Sequence, residues 1–248
     1  MEVDTAQISL LGNREENQDR VAIVSKAGAT LLIVIDGMGG HAGGAEAARL
    51  CVEVISSEFN EVELPVFDPQ GFMHRAIGHA HTELVALGNK ISVEARPRAT
   101  CAICLVQDGY AYWGHVGDSR IHHLRNEAVV ERSRDHSHVE VLLEEGLITE
   151  DEISTHPMRN FVECCLGGDS SLPAMTITRY KRLLPDDVLL ACSDGFWSGL
   201  TDPEMASITS AKGPLGPQLR ALGAQAIKTT SPHSDNTSAA ALRFIAQA

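Results

Sequence analysis

Residues 31–35 read Leu-Leu-Ile-Val-Ile, and Asp36-Gly37 follow at once. An alternating strand can leave one face in water, but a strand that is apolar at every position has to be covered on both faces. This run therefore demands structure on either side and ends on a charged group. A carboxylate there is costly unless something neutralises it.

The rest of the chain supplies the covering layers. Strand patterns fall at Thr5 to Leu11, Val21 to Ser25 and Thr30 to Ile35. Four more follow in quick succession: Thr100 to Val106, Tyr110 to Val116, Arg120 to Leu124 and Ala128 to Arg132. Asp108-Gly109 is the hairpin turn inside that series. Met175 to Tyr180, Asp187 to Cys192 and Ser238 to Ile245 are strand-like again. Helical periodicity runs through Ala45 to Phe59, Pro69 to Leu87, Val139 to Glu145 and Leu215 to Lys228. No linker, repeat or low-complexity segment divides the 248 residues, so one domain spanning 1–248 is expected. Dominant strands with helices in pairs predict an α+β layered domain of antiparallel sheets covered by helices.

A net charge of −13 argues against nucleic acid and against anionic membranes as partners. No apolar run is long enough to span a bilayer, and Met1-Glu2-Val3-Asp4 opens no signal peptide. The six cysteines have no framework spacing, which fits reduced thiols and a cytoplasmic setting. Cys101-x-x-Cys104 lies in a strand-like run, where residues three apart face opposite ways, so core packing is expected there.

Five aspartates stand where a strand meets a loop: Asp19, Asp36, Asp118, Asp194 and Asp235. Asp36 and Asp194 each end a near-continuous apolar strand and precede glycine. Hard divalent cations take oxygen ligands of this kind, and the adjoining glycine lets a backbone carbonyl turn toward them. A single Asp-Gly is only a turn pair; the ordered set is what carries weight.

That order resembles the metal-dependent protein phosphatases, the PPM or type 2C serine/threonine family, in its bacterial branch. The matching stretches are Arg14-Glu15-Glu16-Asn17-Gln18-Asp19, Asp36 through Gly44, Gly117-Asp118-Ser119-Arg120, Asp135-His136-Ser137, His156 through Asn160, Ser193-Asp194-Gly195 and Asp235-Asn236-Thr237. The resemblance implies a four-layer α-β-β-α sandwich, two antiparallel sheets flanked by helix pairs. It implies that Asp36 bridges two cations, Mn²⁺ or Mg²⁺, about 3.5–4 Å apart. The carbonyl of Gly37 binds one of them, and Asp194 and Asp235 bind the other. Asp19 holds cation-bound waters, and Asp118 helps hold a third, weaker ion. Arg14 grips the substrate phosphate. A water bridging the cations attacks phosphorus directly, without a phosphoenzyme. The implied substrates are phosphoserine and phosphothreonine in proteins, opposite a bacterial serine/threonine kinase, with the enzyme a monomer.

The chain departs from that pattern at Gln18, where many members carry glutamate, and at Met38, where some carry a histidine proposed as general acid. Methionine cannot donate a proton. Residues 137–172 correspond to the flap beside the active site. His41, in the glycine loop, is expected to brace that loop by hydrogen bonding. The residues alone leave open a phosphoprotein-binding module without turnover, and a hydrolase of small phosphomonoesters.

Overall fold

The computed structural model describes residues 1–38, 42–153 and 155–246. The chain opens with β1 (Glu2–Leu10), β2 (Asp19–Lys26) and β3 (Ala29–Met38), followed by helices α1 (Ala42–Glu61) and α2 (Pro69–Gly88). Strands β4 (Arg98–Ala99), β5 (Cys101–Gln107), β6 (Tyr110–Val116), β7 (Arg120–Arg125) and β8 (Ala128–Arg132) come next. Short elements fill the following stretch: α3 (His138–Glu144), α4 (Glu150–Ile153), β9 (Leu166–Gly167), β10 (Thr176–Ile177) and β11 (Lys181–Arg182). The chain closes with β12 (Val188–Cys192), α5 (Asp194–Trp197), α6 (Asp202–Ala206), α7 (Leu215–Thr230) and β13 (Thr237–Ala246).

Two antiparallel sheets result. One runs β1-β13-β12-β7-β8; the other runs β10-β6-β5-β3-β4-β9, with β2 also on β3 and β11 also on β6. Strand β3 shows why its sequence is apolar throughout. Leu31, Ile33 and Ile35 pack with Ile55, Phe59, Phe72 and Met73 of α1 and α2. The alternate residues Leu32 and Val34 pack against Leu189, Ala191, Ala240 and Leu242 of the other sheet. That second sheet turns its outer face, Leu190, Cys192, Ala239 and Ala241, to Phe196 of α5, Met205 of α6 and Leu219 of α7. Three apolar layers thus separate four structural ones, which is the expected sandwich. Cys101 and Cys104 fall in different layers, the first beneath the helices and the second between the sheets, both fully buried. Among the described residues no helix is long and apolar enough to cross a membrane.

The hairpin at Asp108-Gly109 forms with φ of 53° and 76°, the paired positive values of a two-residue turn that suits the sheet twist. The strand expected over Met175 to Tyr180 is shorter. Only Thr176–Ile177 pairs there, and β6 is rejoined at Lys181–Arg182. Between them the Thr178 hydroxyl accepts from the Trp113 amide at 3.2 Å, replacing a ladder bond with a side-chain one. Helices α5 and α6 are too short for a periodic pattern and went unpredicted. His41 lies outside the described residues.

Candidate active site

Antiparallel pairing collects strand ends, and it brings the five aspartates to one end of the sandwich. β2 and β3 pair so that Asp19 is directly opposite Asp36. In the other sheet Cys192 pairs with Arg120 and with Ala239. The end of β12 therefore lies beside the start of β7 and the start of β13. Asp194 follows the first, and Asp118 and Asp235 precede the other two.

A cleft of about 750 Å³ opens there, lined by Arg14, Asp36, Gly37, Asp118, Asp194 and Asp235 together with Met38, Asn160, Val162 and Asn236. Asp19 is buried behind this lining at 1% exposure. All the residues expected to serve the site are thus brought together, with Asp19 beneath the others. Asn160 and Val162 arrive from the expected flap, which is tied back by an isolated bridge between Ser137 and Val162.

Close backbone approach shapes the floor. A Cβ on Gly37 would sit 1.9 Å from the Gly44 carbonyl oxygen, so glycine alone lets the start of α1 meet the end of β3. Gly12 turns the neighbouring loop with φ of +65°, and a Cβ there would lie 2.2 Å from the Asp235 carbonyl oxygen. Gly12→Ala is expected to lower stability by about 1–3 kcal/mol through backbone strain and to weaken divalent-cation binding by displacing Asp235. Urea denaturation and a Mn²⁺ titration check this; wild-type values in both would remove Gly12 as the buttress of that loop.

Several residues that drew no role from sequence hold the site together. Asn236 accepts from the Gln18 amide at 2.8 Å and donates to the carbonyls of Leu11 and Glu16, both at 3.0 Å. It thereby laces the Arg14 loop to the Asp235 loop. The Ser193 hydroxyl donates to Asp19 at 2.7 Å. The Thr100 and Ser119 hydroxyls lie 2.7 Å apart, and the Thr100 amide donates to the Asp36 carbonyl at 2.9 Å. Their signal was adjacency: Asn236, Ser193 and Ser119 each sit beside one of the aspartates.

The electrostatics of this set are strained. Burial, then the charges of Asp19, Asp194, Asp118 and Asp235, push the Asp36 carboxyl well above the usual carboxylate range. Burial, then Asp118, Asp235 and Asp19, do the same to Asp194. Burial pushes Asp19 up to about 7 even though hydrogen bonds from Ser193 and Ser238 pull the other way. Asp118 is pushed up to about 6, by burial and then by Asp135. Its Oδ1 is buried without a hydrogen-bond partner among the described residues. Clustered carboxylates that repel one another, plus a buried acceptor with no donor, are the donor set a hard divalent cation satisfies.

Among the described residues no three acidic, histidine or cysteine side chains are already closed around a common point. One reason is plain: Asp235 Oδ2 is turned to Arg14, 2.5 Å from Nη2. The residue expected to grip phosphate and a residue expected to bind a cation hold each other. Both are more than a third exposed, so this pair is a weak one that a cation or a phosphate can displace.

Comparison with known proteins bears on this geometry. A family model described as protein phosphatase 2C matches residues 8–231. The chain is 29% identical over 223 residues to protein phosphatase PhpP of Streptococcus pneumoniae, covering 87% of this chain and 89% of that one. Among solved structures, it is similar to the serine/threonine phosphatase of S. agalactiae, with a TM-score of 0.88 at 25% identity, over 99% of this chain and 100% of that one. The same fold is found in the catalytic domain of the serine/threonine protein phosphatase PstP in complex with two manganese ions, with a TM-score of 0.83 at 23% identity over 98% and 99% of the two chains.

Proposed function

Because the chain belongs to the protein phosphatase 2C family, we propose that it is a metal-dependent phosphatase that hydrolyses phosphoserine and phosphothreonine in proteins. What carries this reading is the convergence of Asp36, Asp118, Asp194 and Asp235 on one cleft with Arg14 at its mouth. The finer reading assigns two divalent cations, Mn²⁺ or Mg²⁺, to Asp36, the Gly37 carbonyl, Asp194 and Asp235, with a third, weaker one at Asp118. When bound, such ions supply Lewis acidity toward phosphoryl oxygens and an acidified water as nucleophile.

The chain's own residues then have distinct tasks. Asp36, at the end of β3, would hold the cations, which would supply the Lewis acidity. Asp19, held by Ser193, orients water at the back of the site. Arg14 leaves Asp235 and turns its planar fork to the phosphate oxygens. Met38 lines the cleft without a titratable proton, so the leaving oxygen takes its proton from bound water or from another residue. The segment 137–172 acts as the flap that helps select the protein substrate. Its proposed counterpart is a serine/threonine kinase, the class of enzyme that places the phosphates such a phosphatase removes.

The test is phosphate release from a phosphothreonine peptide with Mn²⁺, with Mg²⁺ and with chelator. Release with either cation and none with chelator is expected. No release under any condition, from folded protein that still binds the peptide, would make the chain a binding module. Release from p-nitrophenyl phosphate with none from any phosphopeptide would move the substrate class to small phosphomonoesters. Arg14→Ala is expected to raise KM for the peptide about tenfold or more, as the loss of a charge-assisted bond requires, with a smaller effect on kcat. An unchanged KM would contradict its phosphate role.

A further inference from the structure

The loop that carries Asp118 is gripped at every residue. The Gly117 carbonyl accepts from the His136 amide at 2.9 Å. Ser119 is held by Thr100, 2.7 Å between hydroxyls. Arg120 is clamped by Asp135 through two bonds, Nε to Oδ1 at 2.8 Å and Nη2 to Oδ2 at 2.7 Å. Asp118 itself is held by Trp197, whose indole Nε1–H donates to the Asp118 carbonyl oxygen at 2.9 Å.

Trp197 is the last residue of α5, whose first residue is Asp194. The indole bond therefore ties the backbone of one cleft aspartate to the short helix that starts with another. The ring is itself immobilised: the Arg120 guanidinium lies over its face, 3.4 Å from the centroid, with Arg120 only 12% exposed in its ion pair. The chain of contacts runs from Asp135 to Arg120 to Trp197 to Asp118, and returns along α5 to Asp194.

Such a tether has a physical task. Asp118 and Asp194 both line the cleft, one from the loop before β7 and the other from the start of α5. Like charges in one cleft separate unless the backbone prevents it. We propose that Trp197 is a positioning residue: its indole N–H locks Asp118 to the Asp194 helix, holding their carboxylates close enough to serve one set of cations. This rests on the reading of Asp118 as a ligand of the weaker cation. Trp197 touches neither substrate nor cation, and its effect passes through the Asp118 backbone. Outer residues that orient ligands in this way change metal affinity by roughly 10–100-fold when altered.

The test compares the full chain, stripped of cations, with Trp197→Phe and Asp118→Asn. Phenylalanine keeps a ring beneath Arg120 and removes the N–H. Mn²⁺ is titrated calorimetrically into each, and each is melted without cation. Trp197→Phe is expected to weaken the weakest binding step about tenfold, leaving the tighter steps and the melting temperature near wild type. Asp118→Asn is expected to abolish that weakest step. If Trp197→Phe binds as wild type while Asp118→Asn loses the step, Asp118 is a ligand and the positioning role of Trp197 is overturned. If Trp197→Phe weakens every step alike and melts lower, its role is general packing, and the proposal fails. If Asp118→Asn matches wild type throughout, the reading of Asp118 fails and the proposal with it.

Discussion

On the proposed assignment of Asp36 as the ligand shared by two cations, Asp36→Asn will lower kcat for a phosphothreonine peptide by about a thousandfold or more. It will do so without unfolding the protein. Asparagine has the size and shape of aspartate, so the end of β3 and its pairing with β2 and β4 should persist. The charge is what disappears. Asp36 feels the charges of Asp19, Asp194, Asp118 and Asp235 together, so the cation-free variant should melt at or above the wild-type temperature. Lost activity with retained or raised melting temperature separates a ligand from a structural carboxylate. A structural aspartate would lose stability along with activity. Full turnover in the variant would sink the assignment of Asp36 to the centre. Asp194→Asn should behave in the same way, since its carboxyl is held against the same neighbours.

The parts of this site that were legible in the sequence are those written into local pattern. The apolar run into Asp36 announced a strand buried on both faces, and β3 packs helices on one face and the opposite sheet on the other. The Asp108-Gly109 turn needed only its own two residues. The aspartates were visible as a set because each ends or begins a strand, and antiparallel strands meet at their ends; their roles came from resemblance to a family. What escaped was long-range and chemical. The Arg14–Asp235 pair joins residues 221 apart in sequence, and no local pattern predicts which carboxylate an arginine will choose. Trp197 looked like any apolar residue on a short segment, and its importance lies in one N–H aimed at Asp118. The two-residue strands β4, β9 and β11 are shorter than any periodicity can register. β4 forms on β3 and β11 on β6, while β9 forms on β4.

The strain among these carboxylates has a second consequence, in the dependence of stability on pH. Free aspartate side chains in the unfolded chain titrate near 4. In the folded, cation-free protein Asp118 titrates at about 6 and Asp19 at about 7, with Asp36 and Asp194 well above the usual range. Between those values the folded state binds protons that the unfolded state has released. Stability therefore falls as pH rises from the unfolded pKa through the folded ones. Asp19, 1% exposed, is among the groups whose ionisation the fold opposes across that window. Asp187 acts in the opposite sense. Burial disfavours its charge, but bonds from Arg125 at 2.6 Å and from His123 at 2.9 Å prevail, and its pKa is lowered to about 2. Its stabilisation is present above the unfolded pKa and is lost as pH falls toward 2. The cation-free protein should accordingly be most stable near the pH where unfolded aspartate titrates, and should melt progressively lower up to pH 8. Divalent cations reverse the slope, because they take the place of the protons and bind more tightly as the carboxyls ionise. Melting temperatures from pH 4.5 to 8, measured on stripped protein and again with saturating Mn²⁺, test both halves. A flat profile in the stripped protein would mean the aspartates are not held against their own charge. A profile that falls equally with and without Mn²⁺ would mean that the cation does not bind among them.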